Sequence, residues 1–83
     1  MILLPSLLAA EAGGQKRFEL DAETLGDALR ALPIRDLVLD EAGALRPLVN
    51  VYVDGHDSRS QGGLETPLAP AAEVRVVAAI AGG

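Results

Sequence analysis

The last eleven residues, 73–83, begin as a β-strand and end in side chains too small to pack. Strand alternation places Val74 and Val76 on one face, with Arg75 and Val77 on the other. Beyond them the side chains shrink to alanine, one isoleucine and finally Gly82-Gly83. Glycine has no Cβ, so we predict that residues 78–83 form a flexible tail. A slender tail can thread a narrow channel and present its α-carboxylate to the active site of another protein.

Length and composition are those of one small domain. The chain has 83 residues, 49% of them apolar, which suffices for a single modest core spanning residues 1–83. The net charge of −5 argues against nucleic acid and anionic membranes as partners and favours docking onto a basic protein surface. Cysteine is absent, which excludes disulfides, thiolate nucleophiles and thiolate metal sites.

The first twelve residues partly resemble a signal peptide, because an apolar run precedes the pattern Ala10-x-Ala12. They lack a basic segment before that run, and Pro5 interrupts it. No apolar run approaches the roughly 20 residues that span a bilayer. We therefore expect a cytoplasmic protein without a membrane segment.

Residues 1–9 and 15–20 are the first predicted strands. Pro5 suggests an edge or a bulge in the first strand, and Gly13-Gly14 predicts a turn after it. In the second strand Phe18 and Leu20 share one face. Together the two segments predict a hairpin.

Residues 24–32 carry the clearest helical pattern. Thr24 can cap the helix, Asp27 completes the S/T-x-x-D/E motif, and Pro33 stops the helix. Apolar residues recur at the spacing of one buried stripe, namely Leu25, Ala28, Leu29 and Leu32. Gly26 is the exception, because glycine costs about 1 kcal/mol in a helix relative to alanine.

The second half of the chain is mostly short strands and turns. Residues 34–40 fit a strand or a helical turn equally, and residues 40–43 predict a turn. Residues 48–53 alternate as a strong strand, with its valines on one face, and Asp54-Gly55 predicts a hairpin turn after it. Residues 57–61 predict a short polar edge before Gly62-Gly63, and the last strand follows. This order predicts an α+β fold: a mixed four- to five-stranded sheet with one main helix packed across it.

The interior of the chain offers no convincing catalytic set. His56, Asp57 and Ser58 are the residue types of a hydrolase triad, but consecutive side chains diverge and cannot form the relay. His56 has no second His or Cys to complete a metal site, so we predict a solvated loop histidine and no bound metal. We accordingly expect no enzyme activity from this chain alone. The absence of an internal catalytic set favours a functional role for the C-terminal residues.

Several stretches together match one known family. They are Val49-Asn50-Val51-Tyr52-Val53-Asp54-Gly55, Arg59, Leu64-Glu65-Thr66-Pro67-Leu68, Glu73-Val74 and the closing Ala81-Gly82-Gly83. On these residues the chain resembles the ubiquitin-like sulfur carriers, a group that includes the molybdopterin synthase small subunit (MoaD), the thiamine carrier (ThiS) and the carrier for cysteine biosynthesis (CysO). The resemblance implies the β-grasp fold.

The resemblance also implies a chemical role for the terminal glycine. An E1-like adenylyltransferase would use ATP and Mg²⁺, neither bound by the carrier itself, to form an acyl-adenylate on Gly83. Sulfide or a persulfide would then displace AMP and leave a thiocarboxylate, while Gly82 and Ala81 would give the tail access to the channel. The sulfur would pass to an acceptor enzyme, either cysteine synthase-like or the large subunit of molybdopterin synthase.

The docking surface is expected on the exposed sheet face near the tail. Its predicted members are Arg75, Val77, Ala79, Ile80 and Ala81, with Tyr52 and Leu68 as further candidates. Three other functions remain open at this point: the small subunit of a molybdopterin synthase, a protein modifier joined to targets through Gly83, and a β-grasp binding module with an inert tail.

Overall fold

The computed structural model describes residues 1–78 of the chain. Its elements are, in order, β1 (Ile2–Leu3), α1 (Ser6–Glu11), β2 (Arg17–Phe18), α2 (Leu25–Arg30), α3 (Arg35–Val38), β3 (Val49–Val53), β4 (His56–Asp57) and β5 (Val74–Ala78). Two 3₁₀-helices, Ser58–Ser60 and Gly63–Glu65, lie between β4 and β5.

The five strands form one mixed sheet in the order β2-β1-β5-β3-β4. β5 is central: it runs parallel to β1 and antiparallel to β3. All five residues of β5 pair with β3, from Val74 opposite Val53 to Ala78 opposite Val49. With helices against one face, this is the predicted α+β, β-grasp arrangement, so the fold class is confirmed.

The core lies between the sheet and the helices. The valines of β3 and β5 that were predicted to face inwards are all buried, at positions 49, 51, 53, 74 and 76. The predicted stripe of α2, at positions 25, 28, 29 and 32, packs against them and is also buried. Each such Leu or Val side chain contributes about 1.5–3 kcal/mol when removed from water.

α2 begins at its predicted cap. The Oγ1 of Thr24 accepts a hydrogen bond from the backbone N–H of Asp27 at 3.2 Å, and the helix gives way to the C-cap Ala31 two residues before Pro33. The glycine inside the helix has a packing reason. A Cβ on Gly26 would lie 3.1 Å from the carbonyl oxygen of Leu64, so its absence lets the second 3₁₀-helix pack closely on α2.

The prediction of a strand over residues 1–9 is wrong beyond Leu3. The chain instead turns at Pro5, the N-cap of α1, and the backbone N–H of Ala9 donates to the carbonyl oxygen of Pro5 at 2.9 Å. Residues 6–11 are Ser, Leu, Ala and Glu without a β-branched side chain, a composition that favours helix. β1 and β2 still pair antiparallel as predicted, but α1 lies in the connection between them.

The connection after α2 is also helical. The ambiguous residues 34–40 contain α3, so the single main helix that was predicted is one of three short ones in residues 1–78. The predicted turn at 40–43 is confirmed: the carboxylate of Asp40 accepts from the backbone N–H groups of Ala42 and Ala44, each at 2.9 Å. The hairpin turn is confirmed as well, with φ of 50° at Asp54 and 84° at Gly55, the conformation of a type I′ turn. None of the helices in residues 1–78 is long and apolar enough to cross a membrane.

Candidate functional site at the end of strand β5

The open face of the sheet carries the side chains that alternate with the buried valines. Arg75 lies opposite Tyr52, and Val77 lies opposite Asn50, so these four side chains form two adjacent rows on one face. Arg75 and Val77 are exposed, whereas Tyr52 is half-buried. The structure thus brings together Arg75, Val77 and Tyr52, as the sequence predicted.

The row through Arg75 continues across the whole sheet. Leu3 pairs with Arg75 on one side and with Arg17 on the other, while Asp57 pairs with Tyr52. The two arginines are in exposed ion pairs, with Glu73 at 3.1 Å from Arg75 and Glu19 at 2.8 Å from Arg17. Exposed pairs of this kind contribute at most about 1 kcal/mol to stability, so either arginine can change its ion-pair partner at little cost.

Leu68 does not belong to this face. Its backbone N–H donates to the carbonyl oxygen of Glu23 at 2.9 Å, and its side chain packs against the core beside Val74. Val74 is the first residue of β5 and Ala78 the last. Leu68 therefore lies at the end of the sheet opposite the tail, apart from the other predicted docking residues.

Arg59 is a residue whose role the sequence did not reveal, although it stood in the family pattern. Its Nη2 donates to the carbonyl oxygen of Val49 at 2.8 Å, and its Nη1 donates to Oδ1 of Asn50. Val49 is the partner of Ala78. Arg59 consequently braces the end of β3 where β5 gives way to the tail.

The tail residues fall outside the described part of the chain. Gly83, Gly82, Ala81, Ile80 and Ala79, predicted as the reactive and docking positions, are among them. Ala78, counted with the flexible tail in the sequence prediction, is instead the last residue of β5 and half-buried.

The residues considered for a triad or a metal site lie at the edge of the sheet and in the segment after it. His56 and Asp57 form the edge strand β4, with His56 exposed, and the Asp57 carboxylate accepts from the backbone N–H of Arg59 at 2.9 Å. Ser58 is buried and its Oγ has no hydrogen-bond partner among these residues. No cluster of three or more His, Cys, Asp or Glu side chains in this part of the chain could hold a metal ion.

The comparison with known families covers the whole sheet and the tail. The model of the ThiS family matches residues 2–83. The chain belongs to the ThiS family. The match includes both terminal glycines and the strand pattern of residues 49–55 on which the resemblance was based.

Two kinds of relative refine this placement within the ThiS family. The chain is 34% identical, over 89 aligned residues, to the sulfur carrier protein CysO of Mycobacterium tuberculosis, covering 99% of this chain and 96% of that protein. The crystal structure of M. tuberculosis CysO superimposes with a TM-score of 0.85 at 31% identity, covering 95% of this chain and 97% of that one. The crystal structure of the Amycolatopsis orientalis BexX/CysO complex gives a TM-score of 0.83 at 28% identity, covering 99% and 97% of the two chains.

Proposed function

We propose that this protein is a sulfur carrier whose terminal Gly83 is adenylated and then converted to a thiocarboxylate. The observation that carries the proposal is the family match over residues 2–83, which includes the Gly82-Gly83 pair. The 34% identity to a sulfur carrier across nearly the full length of both proteins supports the same role. The chain acts in this account as the donor of sulfur, and its partners supply the catalysis.

The chemistry begins with a carboxylate that is a poor acyl donor. In the active site of an E1-like enzyme, a carboxylate oxygen of Gly83 attacks the α-phosphorus of Mg²⁺-bound ATP, and pyrophosphate leaves. Sulfide, or the terminal sulfur of a persulfide, then attacks the carbonyl carbon, and AMP leaves with the bridging oxygen. When a persulfide supplies the sulfur, its S–S bond must be cleaved by a thiol that becomes oxidised to a disulfide.

Two features of residues 1–78 support this role: the end of β5 is held in place, and one face of the sheet beside it is open. β5 is paired along its whole length with β3, and Arg59 holds the neighbouring end of β3, so the tail starts from a fixed point. A fixed starting point lowers the entropy lost when the tail enters a channel. Arg75 and Val77 are exposed on the open face of β5, and Val77 lies nearer to that point. These two side chains form the proposed docking face.

We further propose that the acceptor is a cysteine synthase-like enzyme. The curated relatives of this chain bear the name CysO, the carrier type for cysteine biosynthesis among the families that the sequence resembles. The CysO of A. orientalis forms a complex with BexX, which supports the expectation that a carrier of this type binds a separate partner protein.

The proposal is tested by reconstituting the activation step. The full chain is incubated with the E1-like enzyme from the same cells, ATP, Mg²⁺ and sulfide, and the C-terminal peptide is analysed by mass spectrometry. We expect one terminal oxygen of Gly83 to be replaced by sulfur, only when ATP is present. The control is the chain lacking Gly83, which should fold alike and gain no sulfur. A wild-type chain that stays a plain carboxylate under these conditions contradicts the proposal.

A further inference from the structure

Large apolar side chains are exposed almost entirely at one end of the sheet. Within residues 1–78 they are Leu48 (61% exposed), Leu7 (53%), Leu37 (42%) and Val77 (40%). Val77 lies next to the last residue of β5, on the open face. The three leucines lie on the other side of the same strand end, where they line one groove with Ala78. Exposed apolar groups gathered in one place indicate an interaction site more strongly than scattered ones do.

The groove is built from three separate segments of the chain. Leu7 comes from α1, Leu37 from α3, and Leu48 from the residues just before β3. Leu8, Val49, Pro47 and Ala78 complete an apolar lining around a cavity of about 650 Å³, open to solvent. The groove could not be predicted from the sequence, because residues 1–9 were predicted as a strand and the position of Leu7 depends on α1.

Most of the residues that line the groove are apolar. Glu11 and Arg46 are its charged lining residues. Arg46 is already engaged, since its Nε donates to the carbonyl oxygen of Asp36 at 3.0 Å. The lining is therefore suited to an apolar occupant of a protein partner and not to a charged small molecule.

The groove lies beside Ala78, where the tail begins, and this position limits which protein surfaces can cover it. Ala78 both lines the groove and precedes the tail, and the five residues from 79 to 83 can extend by at most about 17 Å. An enzyme that acts on Gly83 must then bring its surface within that distance of Ala78. A surface that surrounds so short a tail contacts both sides of the strand end, the open face at Val77 and the groove at Leu48.

We propose that this groove binds an apolar segment at the rim of the channel through which the E1-like activating enzyme takes the tail. The inference rests on the proposed function and adds a second docking surface to it. The open sheet face and the groove are then two docking surfaces, one on each side of the end of β5 where the tail begins. Docking on both sides aims the tail into the channel, whereas the open face alone would leave it free to pivot.

The test is the affinity of the activating enzyme for variants at the groove and away from it. The Leu37→Ser/Leu48→Ser double variant is expected to raise Kd for that enzyme at least tenfold, with little change in melting temperature because both side chains are exposed. Leu68→Ser is the control: it lies at the opposite end of β5 and packs against the core, so it should lower the melting temperature and leave Kd unchanged. Titrations without ATP and sulfide measure docking apart from chemistry.

Three results would overturn the inference. Kd of the double variant within twofold of wild type, while wild type still acquires its thiocarboxylate, refutes the groove and leaves the proposed function intact. Unchanged Kd with a loss of self-association in sedimentation would instead assign the groove to a second copy of the chain. A wild-type chain that gains no sulfur from the enzyme contradicts the proposed function, and the groove inference falls with it.

Discussion

The guanidinium of Arg59 donates a hydrogen bond to the backbone carbonyl oxygen of Val49 at 2.8 Å. Val49 is the residue opposite Ala78, the last position of β5, and its carbonyl points away from β5 towards the 3₁₀-helix that carries Arg59. Within residues 1–78, β4 pairs with β3 only at Tyr52 and Val53, so the Arg59 side chain supplies the donor to the Val49 carbonyl. It fixes the strand end from which the tail departs.

We predict that Arg59→Met lowers the free energy of unfolding by about 1 kcal/mol, because the variant keeps the aliphatic stem and loses the hydrogen bonds to Val49 and Asn50. Urea denaturation measures the change. Arg17→Met is the matched control: within residues 1–78 the Arg17 side chain pairs only with exposed Glu19, so its loss should cost less than about 0.5 kcal/mol. Equal costs for the two variants would show that Arg59 does not brace the strand end.

Gly26→Ala should destabilise the protein although alanine is the better helix former. Helix propensity alone predicts a gain of about 1 kcal/mol. The added Cβ would meet the backbone carbonyl oxygen of Leu64 at 3.1 Å and its Cβ at 3.3 Å, so we expect overpacking to outweigh that gain and leave a net loss of about 1 kcal/mol. A higher melting temperature for the variant would show that the second 3₁₀-helix yields at no cost.

Asp27 should make stability depend on pH in the acid range. The hydrogen bond from Arg30, at 2.6 Å, and then the contact with Thr24 hold the pKa of Asp27 below its usual range. A group whose pKa is lower in the folded state stabilises that state above its unfolded pKa of about 3.9, and the contribution is lost as the pH falls through the folded value. The difference in melting temperature between wild type and Asp27→Asn should therefore be larger at neutral pH than below the folded pKa. Since the side chain is half exposed, the effect is small, and a difference that grows on acidification would contradict this account.

Val77→Asp should weaken docking more than folding. Val77 is exposed at the tail end of the open face, so we expect at least a tenfold rise in Kd for the activating enzyme and a stability loss of no more than about 1 kcal/mol. Ala71→Asp adds the same charge at an exposed position before β5 and serves as the control. If both variants bind as wild type does, the open face is not a docking surface.

The parts of the fold that were predicted correctly share one property: the order of apolar and polar residues in each is compatible with only one way of burying its apolar side chains. Valines alternating over 49–53 and at 74 and 76 can bury only one face, and the observed register pairs those faces. The stripe of α2 is bounded by a capping threonine and a proline, so its position was also determined locally.

Residues 1–9 show where local reasoning stops. An apolar run with one proline fits a bulged strand or a strand that breaks into a helix, and the composition of residues 6–11 favoured the helix that the structure has. The groove and the position of Leu68 depend on how α1, α3 and the 3₁₀-helices pack, which no periodicity encodes. The open sheet face was therefore predictable from strand alternation, whereas the groove required the tertiary structure.

Every proposal made for this protein depends on Gly83 carrying sulfur. The most direct measurement is the intact mass of the protein purified from its own cells, with its C-terminal peptide sequenced. We expect a fraction of chains in which sulfur replaces one terminal oxygen of Gly83. A plain carboxylate that persists after incubation with the activating enzyme, ATP and sulfide, or Gly83 found only in isopeptide bonds to lysines of other proteins, would contradict it.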